Sequence, residues 1–377
     1  MLRVLGELGV SGEDYKLCER ALEVYRANLY SDSGAPWGGG ECLLAESTTL
    51  RGMWCWDTAF HAIGISRFDV DFAARQLEMF MQFQRDDGMF YDAVFCDGRV
   101  SAGFSKPPLL AYACELTAKR GAGVEFLQRV YDRLLRNVEF WQTHRCHNGL
   151  FYYDADPEYG EKNRADMQNE SGWDNSVRWD GFEVNKLWAI DLNCYMVMTY
   201  RSMAYIAGAL GIENDFAARA AKTAHLIEER LWDGERGSYA DRCFEDGRFS
   251  VLSPAGFMPL YIKTAPAARA ERLHRLACDP DKFFPSMPTV AFDDPGFGNF
   301  YWRGPVWLNT AYFAAKGLLN YGYDKTAQAI KDAILGFVRN DEEGCIHENY
   351  NARTGEGLSG RKFSWSAVFT VEFILEI

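Results

Sequence analysis

Apolar residues recur at helical spacing along most of this chain, and the residues equipped for chemistry fall in the gaps between those runs. Leu17, Ala21, Leu22, Tyr25 and Leu29 follow one helical stripe, as do Leu127, Val130, Tyr131, Leu134, Leu135 and Val138. Phe216, Ala220, Ala224, Ile227 and Leu231 form a third, and Ala327, Ile330, Ile334 and Val338 a fourth. The stretch 187–210 is apolar almost throughout, interrupted by Asn193 and Arg201, which predicts a helix buried on every side. This rhythm gives about a dozen helices. Strand patterns are few and short, near 89–95 and 149–154.

Gly and Pro clusters punctuate the helices: Pro36-Trp37-Gly38-Gly39-Gly40, Lys106-Pro107-Pro108, Pro295-Gly296-Phe297-Gly298 and Gly355-Glu356-Gly357. Helices with chemical residues at alternate connections predict an all-α fold of paired helices closed into a toroid. The loops at one end of such a ring form a funnel. No stretch between helices has linker composition, so residues 1–377 are expected to form a single domain. Closed helical folds reach that size as one unit.

Composition narrows the function. The formal net charge of −13 excludes a basic surface for nucleic acid or an anionic membrane. The aromatic share of 15% suits both a core and a cleft that stacks flat faces on a ligand. The ten cysteines form no CxxC pair and sit in apolar-rich segments, as reduced small hydrophobes do. Glu7 interrupts any signal-peptide core and no long apolar run follows, so a cytosolic location is expected.

Five blocks carry the chemistry. The first is Arg51-Gly52-Met53-Trp54-Cys55-Trp56-Asp57, followed by His61. Asp57 serves either as a helix N-cap or as an acceptor for two sugar hydroxyls, with Trp54 or Trp56 over a ring face. His61 reads as a structural hydrogen-bonder. In the second block, Gln84 precedes the turn signal Asp87-Gly88. A turn and a contact to a substrate hydroxyl are equal readings for it. Nearby, Lys106 before two prolines reads as a surface lysine rather than a cleft residue.

The third block, Asn169 to Trp179, contains Glu170, Trp173, Asp174, Asn175 and Arg178. A carboxylate beside Trp is a candidate for a raised pKa and hence for a general acid, which favours Asp174. Glu170 reads as structural or substrate-orienting. The bland alternative for this block is a helix cap plus an Arg178 salt bridge. The fourth block is Phe300-Tyr301-Trp302-Arg303-Gly304-Pro305-Val306-Trp307. Pro305 suits a first helical turn, which sets Trp302 and Arg303 at the mouth and Trp307 in the core. In the fifth, Glu348 stands among His347, Asn349 and Tyr350, a setting for a base that activates water. Downstream, Ser366 is a candidate cap for the last helix and Trp365 a candidate to close the pocket.

The phrases WCWDTAFHA, ESGWDNS, YWRGPVW, HENY and FSWS stand in this order between residues 51 and 366. Together they resemble the inverting exo-glycosidases of glycoside hydrolase family 63, with the trehalases of family 37 similar in pattern. The resemblance implies an (α/α)6 barrel, no metal or other cofactor, and a small carbohydrate as partner. It implies inverting hydrolysis of an α-linked glucosyl or mannosyl unit, with Asp174 as general acid and Glu348 as general base. Trp54, Trp56, Asp57, Gln84, Trp173, Trp302, Arg303, Tyr350 and Trp365 complete the expected sugar site. The chain has no room for the additional β-rich domain of larger members and looks like the compact bacterial type, some of which act on glycosides of glycerate. Where that pattern has Gln before the paired prolines, this chain has Lys106.

Two rival readings share the barrel. A sugar epimerase usually enlists histidines, and of the six here only His61 and His347 fall in the blocks. A carbohydrate-binding protein without catalysis would not need both carboxylates. Oligomeric state is left open by the sequence.

Overall fold

A computed structural model describes residues 1–156 and 166–377. Among these residues, twelve helices fall into two sets of six, preceded by the short helix Leu2–Glu7. The first set is Cys55–Ile65, Leu110–Thr117, Ile190–Ala209, Met258–Tyr261, Leu308–Asn320 and Ser364–Glu376. Each packs on the next in that order, and the last packs back on the first, so the set closes into a ring. Their burial explains the position. Cys55–Ile65, Leu308–Asn320 and Ser364–Glu376 are buried around most of their circumference. Such helices have no polar face to offer water and must be covered on all sides.

The second set supplies the cover. Gly12–Asn28 packs on Ser364–Glu376, Val70–Met81 on Cys55–Ile65, Phe216–Arg230 on Ile190–Ala209, and Asp324–Arg339 on Leu308–Asn320. Gly123–His144 lies against Ile190–Ala209 and Val70–Met81, and Ala267–Ala277 lies against the short strand Ser238–Tyr239. These outer helices are amphipathic. In Asp324–Arg339 the buried residues Ala327, Ile330, Ile334 and Val338 repeat at three and four, the stripe read from sequence. Asp69 caps Val70–Met81 by accepting the Phe72 N–H at 2.8 Å.

Strand structure is confined to short pairs in the connections. Gly52–Trp54, Ala93–Phe95 and Val100–Ser101 form one three-stranded sheet, and Leu150–Phe151 pairs with Cys146–His147. His347–Tyr350 pairs antiparallel with Gly357–Arg361, His347 opposite Arg361 and Asn349 opposite Leu358. The register therefore slips between them, and Ser359 and Gly360 together face Glu348. Such a bulge re-aims a side chain next to a functional site. Ser359 takes the left-handed conformation, φ 58°, that this requires.

Three helix-start expectations are corrected. The helix after the fourth block begins at Leu308, so Pro305 precedes it and Trp307 is its buried N-cap. Asp57 lies inside the first turn of Cys55–Ile65, whose N-cap is Trp54. The last helix starts at Ser364, and Ser366 donates instead to the carbonyl of Glu348 at 3.2 Å. In each case tertiary partners, not local capping preference, fix the role.

Candidate active site

Four of the five blocks read from sequence lie at or before the N-terminal ends of ring helices and converge there, while the second follows the outer helix Val70–Met81. Cys55–Ile65 brings Trp56 and Asp57 in its first turn, directly after Trp54. Leu308–Asn320 is led in by Tyr301, Trp302 and Trp307, and Ser364–Glu376 by Phe363 and Trp365. All of these line one hollow of about 110 Å³, together with Leu50, Lys106, Gly172, Asp174 and Glu348.

Tryptophans build its wall. Trp173, Trp302, Trp307 and Trp365 stack in a column, with centroid separations of 4.9, 3.8 and 5.5 Å. Each such contact adds about 0.5–1.5 kcal/mol beyond burial, so the column is a rigid wall. Trp56 tilts against both Trp302 and Trp365. A Cβ on Gly172, at φ 74°, would stand 2.5 Å from the Trp56 ring, so only glycine permits this approach. The glycine thus admits an indole edge rather than only a ligand.

Hydrogen bonds lock the third block to the fourth. Asn175 Oδ1 accepts the Trp302 N–H at 2.9 Å. Behind Trp173, the buried Arg178 guanidinium bonds Asp191 and Asp241 at 2.8 Å each and lies 4.6 Å from the Trp173 and Trp179 ring centres. Arg178 does not pair with Glu170. Glu170 instead accepts from Arg145 at 2.8 Å and from the N–H groups of Asp154 and Ser105, a fully partnered structural carboxylate.

The two candidate catalytic carboxylates have different surroundings. Asp174 faces the hollow, and its buried Oδ1 has no hydrogen-bond partner. Burial pushes its pKa up to about 6; Lys106 opposes that shift and Asp92 adds to it. Glu348 receives the Gly360 N–H at 3.0 Å on Oε2 and the Tyr301 hydroxyl at 3.4 Å on Oε1. Burial raises it to about 7 against those two donors, with the Asp174 charge contributing to the rise. Tyr301 reaches the site from a left-handed backbone, φ 55°, a conformation uncommon outside glycine. Asp57 is pushed up to about 8, first by burial, with Lys106 opposing and Asp92 adding.

Of the expected sugar-site residues, the hollow gathers Trp54, Trp56, Asp57, Trp302 and Trp365. Four others lie outside its lining. Gln84 spends its amide on the carbonyls of Gly88 and Arg133, at 2.9 and 2.7 Å, and fastens the turn to helix Gly123–His144. Arg303 grips Asp180 through both terminal nitrogens, at 2.9 and 2.6 Å. Trp173 stands behind Trp302, and the Tyr350 hydroxyl accepts the His347 N–H at 3.0 Å. His61 bonds Ser364 at 2.6 Å and Gln76 at 3.1 Å, and burial holds it neutral, with a pKa of about 3.

Sequence reasoning missed Lys106, Tyr301 and Trp307 as lining residues. Lys106 is buried, not at the surface, and the two prolines after it were the available signal that its backbone is held. Tyr301 carried no signal, because its aim depends on a backbone angle.

The model of the mannosylglycerate hydrolase MGH1-like glycoside hydrolase domain matches residues 51–366. The mannosylglycerate hydrolase of Rubrobacter radiotolerans is 27% identical, over 86% of this chain and 90% of its own. The family 63 mannosylglycerate hydrolase of Thermus thermophilus, solved with Tris and D-glycerate, superposes with a TM-score of 0.80 at 22% identity, covering 94% of this chain and 99% of that one. The neutral trehalase of Saccharomyces cerevisiae gives 0.71 at 16% identity, covering 95% and 80%. This chain therefore belongs to the mannosylglycerate hydrolase MGH1-like glycoside hydrolase family and is a glycosidase.

Proposed function

We propose that the protein hydrolyses an α-linked mannosyl or glucosyl unit with inversion, on an (α/α)6 barrel forming one domain over residues 1–377, in the cytosol. The closed ring of six helices with its outer partners supports the barrel. A glycoside of glycerate is the first substrate to test, because relatives in three organisms are named mannosylglycerate hydrolases. Asp174 protonates the glycosidic oxygen as the bond stretches, and Glu348 takes a proton from water attacking the opposite face. Trp54, Asp57, Trp302 and Trp365 hold the sugar.

The observation that carries this reading is the unequal hydrogen bonding of two buried carboxylates on one hollow. Two donors, Gly360 N–H and Tyr301 O–H, favour the ionised form of Glu348, as a base requires. Asp174 Oδ1 has no donor and is free to carry a proton toward a leaving oxygen. Both groups are pushed up into the same range, about 7 for Glu348 with its two donors counted and about 6 for Asp174, so one proton is shared between them.

Inversion needs carboxyl groups about 6.5–9.5 Å apart, with water between base and sugar. The test is a panel of α-mannosylglycerate, α-glucosylglycerate and trehalose, with the first-formed sugar anomer followed by proton NMR. The β-anomer is expected. The α-anomer would overturn inversion, and no hydrolysis of any α-glycoside would overturn the reading as a whole.

A further inference from the structure

Lys106 lines the hollow, yet its side chain is only 7% exposed. Burying an ammonium costs several kcal/mol unless it is paired, so its surroundings must repay that cost. Asp92 Oδ1 lies 3.3 Å from Nζ, the Asn169 carbonyl accepts from it, and the Phe104 ring lies beneath at 5.2 Å. An ammonium has three donors, and the hydrogen bond to Asn169 takes one, while Asp92 Oδ1 lies at ion-pair distance without accepting a hydrogen bond. The other two have no hydrogen-bond acceptor among the described residues.

We infer that Lys106 is a sugar-contacting residue, donating to a hydroxyl of the ring in the hollow while its charge balances Asp57, Asp92 and Asp174. This rests on the reading of the hollow as a glycosidase site. Lys106 can only donate, so it fixes the sugar oxygen facing it as an acceptor. A Gln at this position would offer both, and would bring no charge.

The charge reaches the chemistry. Lys106 is the leading opponent of burial at both Asp57 and Asp174. The other charged and titratable groups acting there are Cys55 and Glu348 at Asp57, Asp92 at both, and Asp166 at Asp174; Asp174, Glu46 and Tyr301 act on Glu348. Removing the ammonium therefore raises Asp174 further and leaves Glu348 nearly untouched.

The test compares wild type with Lys106→Met and Lys106→Gln in three readouts. Tryptophan fluorescence measures binding of D-mannose and D-glucose, kinetics give the pH profile, and thermal unfolding reports stability. Binding should weaken roughly ten- to a hundred-fold in Lys106→Met and less in Lys106→Gln, which keeps a donor. The acid limb of kcat/KM should move to higher pH in both. If melting temperature falls while hexose affinity and the limb stay put, Lys106 is only a structural tie and the inference fails. A wild type that binds hexose without hydrolysing anything sinks the hydrolytic reading alone, and the binding arm still decides Lys106. A wild type that binds no hexose sinks both. Lys106→Gln decides the matter where Lys106→Met does not fold.

Discussion

Glu348 sits opposite the bulge of its partner strand, and its Oε2 accepts the backbone N–H of Gly360 at 3.0 Å. The proposed base is thus held by main chain, which does not rotate away. Its second donor is the Tyr301 hydroxyl, a side chain and therefore removable. Tyr301→Phe takes a donor from the ionised form, so Glu348 should rise above about 7. The alkaline limb of kcat/KM should move up and its maximum fall, because Glu348 then keeps the proton Asp174 needs. An unmoved alkaline limb in a folded Tyr301→Phe variant would show that this contact does not matter to the base.

The wild-type profile follows from the same two groups. Below about 6 both carboxyls are protonated and no base remains; above about 7 both are ionised and no acid remains. The dependence of kcat/KM on pH should be a narrow bell with its maximum near the midpoint, about 6.5. These limbs belong to the pair and not to either residue alone. A profile flat from pH 5 to 8 would contradict a proton shared between them.

The roles separate by leaving group. Asp174→Asn and Glu348→Gln should each lower kcat by roughly a hundred- to ten-thousand-fold on an unactivated glycoside, with hexose binding kept. An aryl glycoside with an acidic phenol needs little protonation as it departs. Such a substrate should restore much of the rate to Asp174→Asn and little to Glu348→Gln. The opposite pattern would exchange the acid and the base.

The helices were legible because their signal is periodic and local. The stripe at Ala327, Ile330, Ile334 and Val338 needed no partner to be read, and the all-apolar run at 187–210 announced a helix covered on every side. Site residues were legible where aromatic and acidic residues share one short block, as Trp54, Trp56 and Asp57 do. Three kinds of fact were not. Gln84 looked free to bind a sugar because nothing near it in sequence names Arg133, 49 positions on, as its acceptor. Arg303 looked aimed at the mouth because its partner Asp180 lies 123 positions away. Tyr301 and Lys106 reach the hollow through a left-handed φ and through a burial that only the assembled carboxylates repay.

The wall behind the acid gives the last prediction. Arg178 is buried with two carboxylates, Asp191 and Asp241, and its guanidinium faces the Trp173 ring at 4.6 Å. Trp173 in turn stacks on Trp302, so this ion triad stiffens the chain leading into Asp174. Removing the cation leaves two buried carboxylates unpaired, which costs about 3–5 kcal/mol when a buried pair is broken. Arg178→Met should therefore lower the melting temperature sharply. Arg178→Lys keeps the charge but cannot bond both carboxylates through a planar fork, so it should fold while losing part of that stability. In that folded variant kcat should fall more than KM changes, since Arg178 touches no lining residue by hydrogen bond and acts only by holding Trp173 and Asp174 in place. Wild-type kcat in a destabilised Arg178→Lys would separate the triad from catalysis and leave it a purely structural element.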